Sequence, residues 1–156
     1  MSATLETGAP APDFALSANG GGSIALSALK GRKVVLYFYP KDDTPGCTTE
    51  AIDFSARLAD FTAAGASIVG VSRDSVAAHD KFAAKHDLSI SLGADVDGTV
   101  TNAYGVWVEK MNYGKKYFGI ERSTFLIDGA GKIARVWRKV RVKGHVDDVL
   151  AAVRAL

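Results

Sequence analysis

The sequence of 156 residues contains a single cysteine, Cys47. That excludes an internal disulfide, and with it a small fold stapled by cross-links or a self-contained dithiol couple. Prolines are scarce as well, four in all, and they cluster as Pro10 and Pro12 near the start and Pro40 and Pro45 around one loop. No apolar run approaches the ~20 residues a membrane-spanning helix requires, so no membrane partner is expected. The formal net charge is +2, far from the dense basic patch of a nucleic-acid binder, so no nucleic acid is expected either. Met1–Glu6 has neither a basic start nor an apolar core and does not read as a secretory signal, which leaves a cytoplasmic location as the expectation. The three histidines, His79, His86 and His145, share no metal-ligand spacing with one another or with Cys47. Zinc typically takes three or four ligands, so neither a metal nor any other cofactor is expected.

What the sequence does hold is an ordinary globular balance, 47% hydrophobic and 23% charged, at a length that suits one domain spanning residues 1–156. Phe14-Ala15-Leu16 and Ser23–Leu26 flank Asn19-Gly20-Gly21-Gly22, a hairpin signal. Ser27–Gly31 suits a single helical turn. Val34–Tyr39 is apolar on both faces, as a central covered strand must be, and Pro40 ends it. The pattern then predicts a helix from about Cys47 to Ala64, with Phe54, Leu58 and Phe61 on one face and Asp53 four residues before Arg57 on the other. Ser67–Ser72 reads as a second buried strand. Asp74-Ser75 caps a helix over Val76–Lys85, whose His79 and His86 are expected at its surface. A short helix follows over Gly98–Tyr104. Ser123–Ile127 and Ile133–Trp137 read as paired strands around Asp128–Gly131, and Trp137–Lys143 continues as a basic edge segment. Met111–Phe118 has turn and aromatic character and suits either a loop bordering the pocket or plain packing. A helix over Val146–Ala155 closes the chain, with His145 near its start, Asp147 and Asp148 in its first turn and Arg154 in its last. Alternating strands and helices imply an α/β sheet with helices on both faces.

Cys47 lies where a buried strand hands over to a long helix. A helix N-terminus offers free amides and the positive end of the dipole, both of which favour a thiolate, the nucleophilic form of cysteine. Pro40 and Pro45 restrict the backbone around Gly46, and the Thr44 hydroxyl, three residues before the cysteine, can hydrogen-bond sulfur or an incoming oxygen.

Pro40-x-x-x-Thr44-x-x-Cys47 resembles the active-site pattern of the peroxiredoxins. The wider string Tyr37–Glu50, with Gly70–Ser75 and Gly119–Asp128, resembles the Q-type subfamily, also called bacterioferritin comigratory protein, and the likeness extends from about Ala9 to Leu150. It implies a thioredoxin-like fold of the peroxiredoxin variety, a central mixed sheet flanked by helices with an N-terminal hairpin extension. It implies a thiol-dependent peroxidase acting on hydrogen peroxide and organic hydroperoxides through a sulfenic acid. By this resemblance Cys47 is the peroxidatic nucleophile. Thr44 orients the peroxide and hydrogen-bonds the thiolate, Pro40 shields the sulfur, and Arg122 places a guanidinium beside sulfur and peroxide. Glu50 and Gly46 support them.

The chain departs from the subfamily in one respect. Where many members carry a resolving cysteine, five residues after the first or on the following helix, it has Ile52 and Ala83. The sulfenic acid is therefore expected to need an external thiol: thioredoxin, glutaredoxin or a low-molecular-weight thiol. A natural one-cysteine enzyme and a variant with its resolving cysteine replaced both fit this sequence. A monomer is the expected state, as for many Q-type relatives. Two other functions share the scaffold. A disulfide oxidoreductase would use Cys-x-x-Cys, but Glu50 holds the second position; a non-catalytic binding protein would have no need of the Pro40, Thr44, Cys47 and Arg122 set.

Overall fold

The structure, a computed structural model, describes residues 5–156; residues 1–4, where the reading of the leader begins, lie outside it. The run of residues apolar on both faces forms β3 (Lys33–Phe38), with Val34 to Phe38 wholly buried. It pairs in parallel with β4 (Ala66–Ser72) on one side and antiparallel with β8 (Ser123–Ile127) on the other. Side chains alternate across a strand, so Val35, Tyr37 and Tyr39 enter one core and Val34, Leu36 and Phe38 the other. Both faces of the sheet are thereby filled, which is why this strand shows no polar alternation.

Outward from β4 lie β5 (Ser91–Ala94), β1 (Ala15–Ala18) and β2 (Ser23–Ala25); outward from β8 lies β9 (Ile133–Trp137). The full order is β2-β1-β5-β4-β3-β8-β9, a mixed sheet. The N-terminal hairpin is thus the sheet's far edge, joined through Ser17 and Ala18 of β1 to β5. β5 has little strand signal of its own, since Gly93 and Ala94 make up half of it, and its place comes from pairing with β4 and β1.

The long helix expected from Cys47 is two helices, α1 (Pro45–Ala56) and α2 (Leu58–Ala63), broken at Arg57 with φ −105° and ψ 9°. Arg57 does not pair with Asp53. Its guanidinium reaches Asp60 on α2 and Asp147 on α5 (His145–Ala155), each at 2.8 Å, so the break lets one arginine tie three helices. α3 (Val76–His86) begins as expected, with the Ser75 hydroxyl accepting from the Ala78 amide at 3.2 Å. α4 (Thr99–Ala103) is the short helix.

The segment expected as a loop at Met111–Phe118 is instead a hairpin, β6 (Trp107–Asn112) and β7 (Lys115–Ile120), paired only with each other. Tyr113 and Gly114 at its tip have φ of 51° and 77°, the pair of positive values a tight two-residue turn requires. Beyond Trp137 the basic segment is irregular, not strand. No helix among the described residues is long and apolar enough to cross a membrane.

Candidate active site

Thr44 is the N-cap of α1 and Pro45 its first residue, where the missing proline N–H costs nothing. The first helical hydrogen bond runs from the Thr48 amide to the Thr44 carbonyl at 2.8 Å. Cys47 therefore sits in the first turn, where backbone amides lack an acceptor one turn earlier. Its side chain is 1% exposed and packs on the β3 face with Tyr37, Tyr39 and Phe54.

Arg122 lies between β7 and β8, directly ahead of the strand that pairs with β3. Its Nη2 donates to Cys47 Sγ at 3.3 Å and its Nη1 to Glu50 Oε1 at 2.7 Å. One guanidinium thus holds the sulfur and a carboxylate 0% exposed at the same time, as its planar fork allows. Burial works against the charge of Arg122, and the neighbouring Glu50 and Cys47 more than restore it. Glu50 is pushed up to about 7 by burial, with Arg122 opposing through its charge and hydrogen bond. Burial prevails because Oε2 has no hydrogen-bond partner, so one guanidinium contact replaces only part of the lost hydration. Gly46 lies against this arginine: a Cβ there would stand 3.1 Å from Arg122 Nη2.

The remaining expected residues are less intimately placed. The Thr44 hydroxyl donates to the Lys41 carbonyl at 2.8 Å rather than to sulfur, leaving its oxygen lone pairs to accept. Pro40 follows β3 at an exposed position. Ile52 is 42% exposed on α1, and Ala83 is partly buried on α3 against the core that holds Cys47.

Buried polar groups that spacing did not single out surround the site. Tyr37 stacks on Phe54 with ring centroids 4.6 Å apart, its hydroxyl buried without a partner. Burial raises its pKa well above 10, with the charges of Glu50 and Cys47 adding. His145, the first residue of α5, is buried and meets Thr124 Oγ1 through Nε2 at 2.7 Å. Burial lowers its pKa to about 4, Arg122 contributing and Asp148 opposing. His79 is not at the helix surface but 0% exposed, and His86 is half-buried with Nε2 2.9 Å from Asp43 Oδ1. His79 shares the covered side of α3 with Phe82, and its burial comes from the contacts that side makes. No group of three or more potential metal ligands occurs among the described residues. A cavity of about 250 Å³ between Pro10–Asp13 and Asp128–Gly131 shares no residue with this site.

The AhpC/TSA family profile matches residues 7–136. The chain belongs to that family. Peroxiredoxin Bcp of Xanthomonas campestris is 52% identical over 153 residues, 98% of this chain and 96% of its own. Peroxiredoxin Bcp of Escherichia coli is 39% identical, covering 94% of each. A structure of the X. campestris bacterioferritin comigratory protein, studied for alkyl peroxide reduction, superposes with a TM-score of 0.89 at 51% identity, covering 99% of this chain and 98% of that one. A cysteine-to-serine mutant of Xylella fastidiosa PrxQ superposes at 0.93 with 39% identity and the same coverage. Within the family the chain is therefore a peroxiredoxin of the Bcp or Q type, with the thioredoxin-like fold of that group and a thiol peroxidase by kind. The loop that follows β3 leads into α1, whose first turn carries Cys47.

Proposed function

We propose that Cys47 reduces hydrogen peroxide and small organic hydroperoxides, and that the pairing of its sulfur with Arg122 is what makes it reactive. The observation that carries this reading is the 3.3 Å contact from Arg122 Nη2 to Cys47 Sγ, made by a guanidinium already fixed on Glu50. A fixed cation favours the thiolate and meets charge moving onto the departing oxygen. The sulfur attacks one peroxide oxygen, an S–O bond forms as the O–O bond breaks, and the departing alkoxide or hydroxide takes a proton to leave as alcohol or water. Sulfur is oxidised by two electrons to the sulfenic acid. Thr44, with its own proton on the Lys41 carbonyl, is the acceptor that orients the peroxide O–H. Pro40 shields the approach, and Glu50 and Gly46 keep the guanidinium in place.

With one cysteine in the chain, an external thiol completes the cycle. It attacks the sulfenic sulfur, water leaves, and a second thiol equivalent releases Cys47 from the mixed disulfide. Thioredoxin, glutaredoxin or a low-molecular-weight thiol would serve. The working unit is a single domain of 156 residues, a length that suits one domain, acting as a monomer in the cytoplasm. The test is a stopped-flow measurement of hydrogen peroxide consumption by reduced protein at neutral pH, against free cysteine. A rate several orders of magnitude above free cysteine, lost in C47S, is expected. A rate equal to that of free cysteine, or one retained in C47S, would overturn the assignment.

A further inference from the structure

Two consecutive aspartates fasten the loop ahead of α1 onto α3. Asp43, held at φ 59°, accepts from Lys85 Nζ at 2.7 Å and meets His86 Nε2 at 2.9 Å, all at the surface. Asp42 turns inward. Its Oδ1 accepts from the Tyr39 hydroxyl at 2.6 Å, and its Oδ2 lies 2.6 Å from Nδ1 of the fully buried His79. The other ring nitrogen, Nε2, lies 2.9 Å from the carbonyl oxygen of Gly93 on β5. A carbonyl only accepts, so Nε2 carries a proton; a carboxylate only accepts, so Nδ1 carries one too. Against an ionised Asp42 the ring satisfies both neighbours as an imidazolium, a charge paired in a pocket where an unpaired one would be costly. The Asp42 amide donates in turn to Asp74 Oδ2 at 2.8 Å, which also accepts from the Ser72 hydroxyl.

We propose that His79 is a positioning residue for the peroxide reaction, its doubly protonated ring latching Asp42 to the Gly93 carbonyl and so holding the loop that carries Pro40 and Thr44 against the sulfur. The inference rests on Cys47 being the nucleophile. The groups facing the ring are Tyr39 just after β3, Asp42 from the loop ahead of α1, Asp74 from the loop after β4 and the Gly93 carbonyl from β5. Burial presses the His79 pKa down, but the hydrogen bond and charge of Asp42, with Gly93 and Asp74 adding, carry it above 6.5. A raised histidine pKa stabilises the latch below 6.5 and loses that contribution as pH rises through the folded value. Deprotonation leaves one ring nitrogen facing an acceptor without a proton. The loop then loosens, giving a rate that falls as pH rises through the ring titration.

The test combines imidazole ¹⁵N NMR, amide exchange and peroxide kinetics across the pH range on wild type, D42N and H79Q. In wild type both ring nitrogens should be protonated at about pH 6.5. Protection factors over 41–47 and the peroxide rate constant should each fall about tenfold as the ring titrates, the change expected from one lost hydrogen bond to a charged group. D42N should have a neutral ring at about pH 6.5, low protection and an about tenfold slower reaction. H79Q, whose single amide nitrogen cannot donate to both Asp42 and the Gly93 carbonyl and does not titrate, should react about tenfold slower than wild type at about pH 6.5 and show no falling limb. A neutral ring in wild type, loop protection indifferent to the ring, or a falling limb that persists in H79Q would overturn the latch. Wild type no faster than free cysteine would instead sink the peroxidase reading, while ring titration and loop protection still decide the latch.

Discussion

Arg122 and Glu50, 72 residues apart in sequence, meet at 2.7 Å beneath the first turn of α1, and the second terminal nitrogen of the same guanidinium lies 3.3 Å from the sulfur of Cys47. Neither partner of the cysteine is free to move alone. The carboxylate fixes the fork of the arginine, and the arginine presents what remains of that fork to the sulfur. The arrangement also strains the electrostatics, because Glu50 keeps one oxygen without a partner in a fully buried position.

Removing the guanidinium in R122A should slow the peroxide step by roughly ten- to a thousandfold, the range for losing a preorganised electrostatic stabiliser. R122K, which retains the charge without the planar fork, should fall between the two. Stopped-flow tryptophan fluorescence measures both; an R122A rate equal to wild type would remove Arg122 from the site.

Gly46 has ordinary backbone angles, so its role is steric. A methyl group there would meet Arg122 Nη2 at 3.1 Å, and the guanidinium must shift by a few tenths of an ångström. G46A should lower the peroxide rate about tenfold, since small displacements of reacting groups are expensive. The thermal midpoint should barely change, and a large fall in it would show that the backbone and not the arginine is what gave way.

Acid–base titration of stability should reveal two opposed contributions. Glu50 moves from 4.5 up to about 7, so the folded chain binds its proton more tightly and stability falls as pH rises between those values. His145 moves from 6.5 down to about 4, so the unfolded chain binds more proton and stability rises over nearly the same interval. The two displacements are alike in size, and wild type should show a shallow profile. Relative to wild type, E50Q should gain stability as pH rises from 4.5 to 7, and H145Q as pH falls from 6.5 to 4. Denaturant melts at intervals across that range measure the difference slopes; two flat slopes would contradict both assignments.

Gly70 on β4 admits the ring of Tyr37. An added Cβ would lie 2.7–2.8 Å from the ring and hydroxyl of this buried tyrosine, which is itself stacked on Phe54. G70A should cost about 1–3 kcal/mol by overpacking, a fall in melting temperature of about 2–4 °C for each kcal/mol in a chain of this size. An unchanged melt would mean that Tyr37 has another place to go.

Local chemistry made β3, the start of α3 and the Cys47 helix terminus readable in the chain. An uninterrupted apolar run, an N-cap serine and a proline before a cysteine each act within a few residues. α1 and α2 merged in that reading because no residue at 57 breaks a helix by itself; Arg57 ends α1 through ion pairs to Asp60 and to the distant Asp147. The β6–β7 hairpin was hidden by its exposed Met111, Tyr113, Tyr117 and Phe118, which blur the alternation a half-buried strand shows.

The sequence by itself determined that this chain has one thiol and no internal means of forming a disulfide, and that Cys47 opens a helix behind a buried strand. These are properties of residue identity and short-range order. Only the tertiary structure decided what the sulfur faces. Arg122 reaches it because β8 pairs directly with β3, and Glu50 is buried because α1 lays that face on the sheet. His79 sits in the core because β5, nearly silent as a strand, supplies the Gly93 carbonyl. Long-range pairing and burial depend on what the rest of the chain covers, and no window of neighbouring residues contains that information.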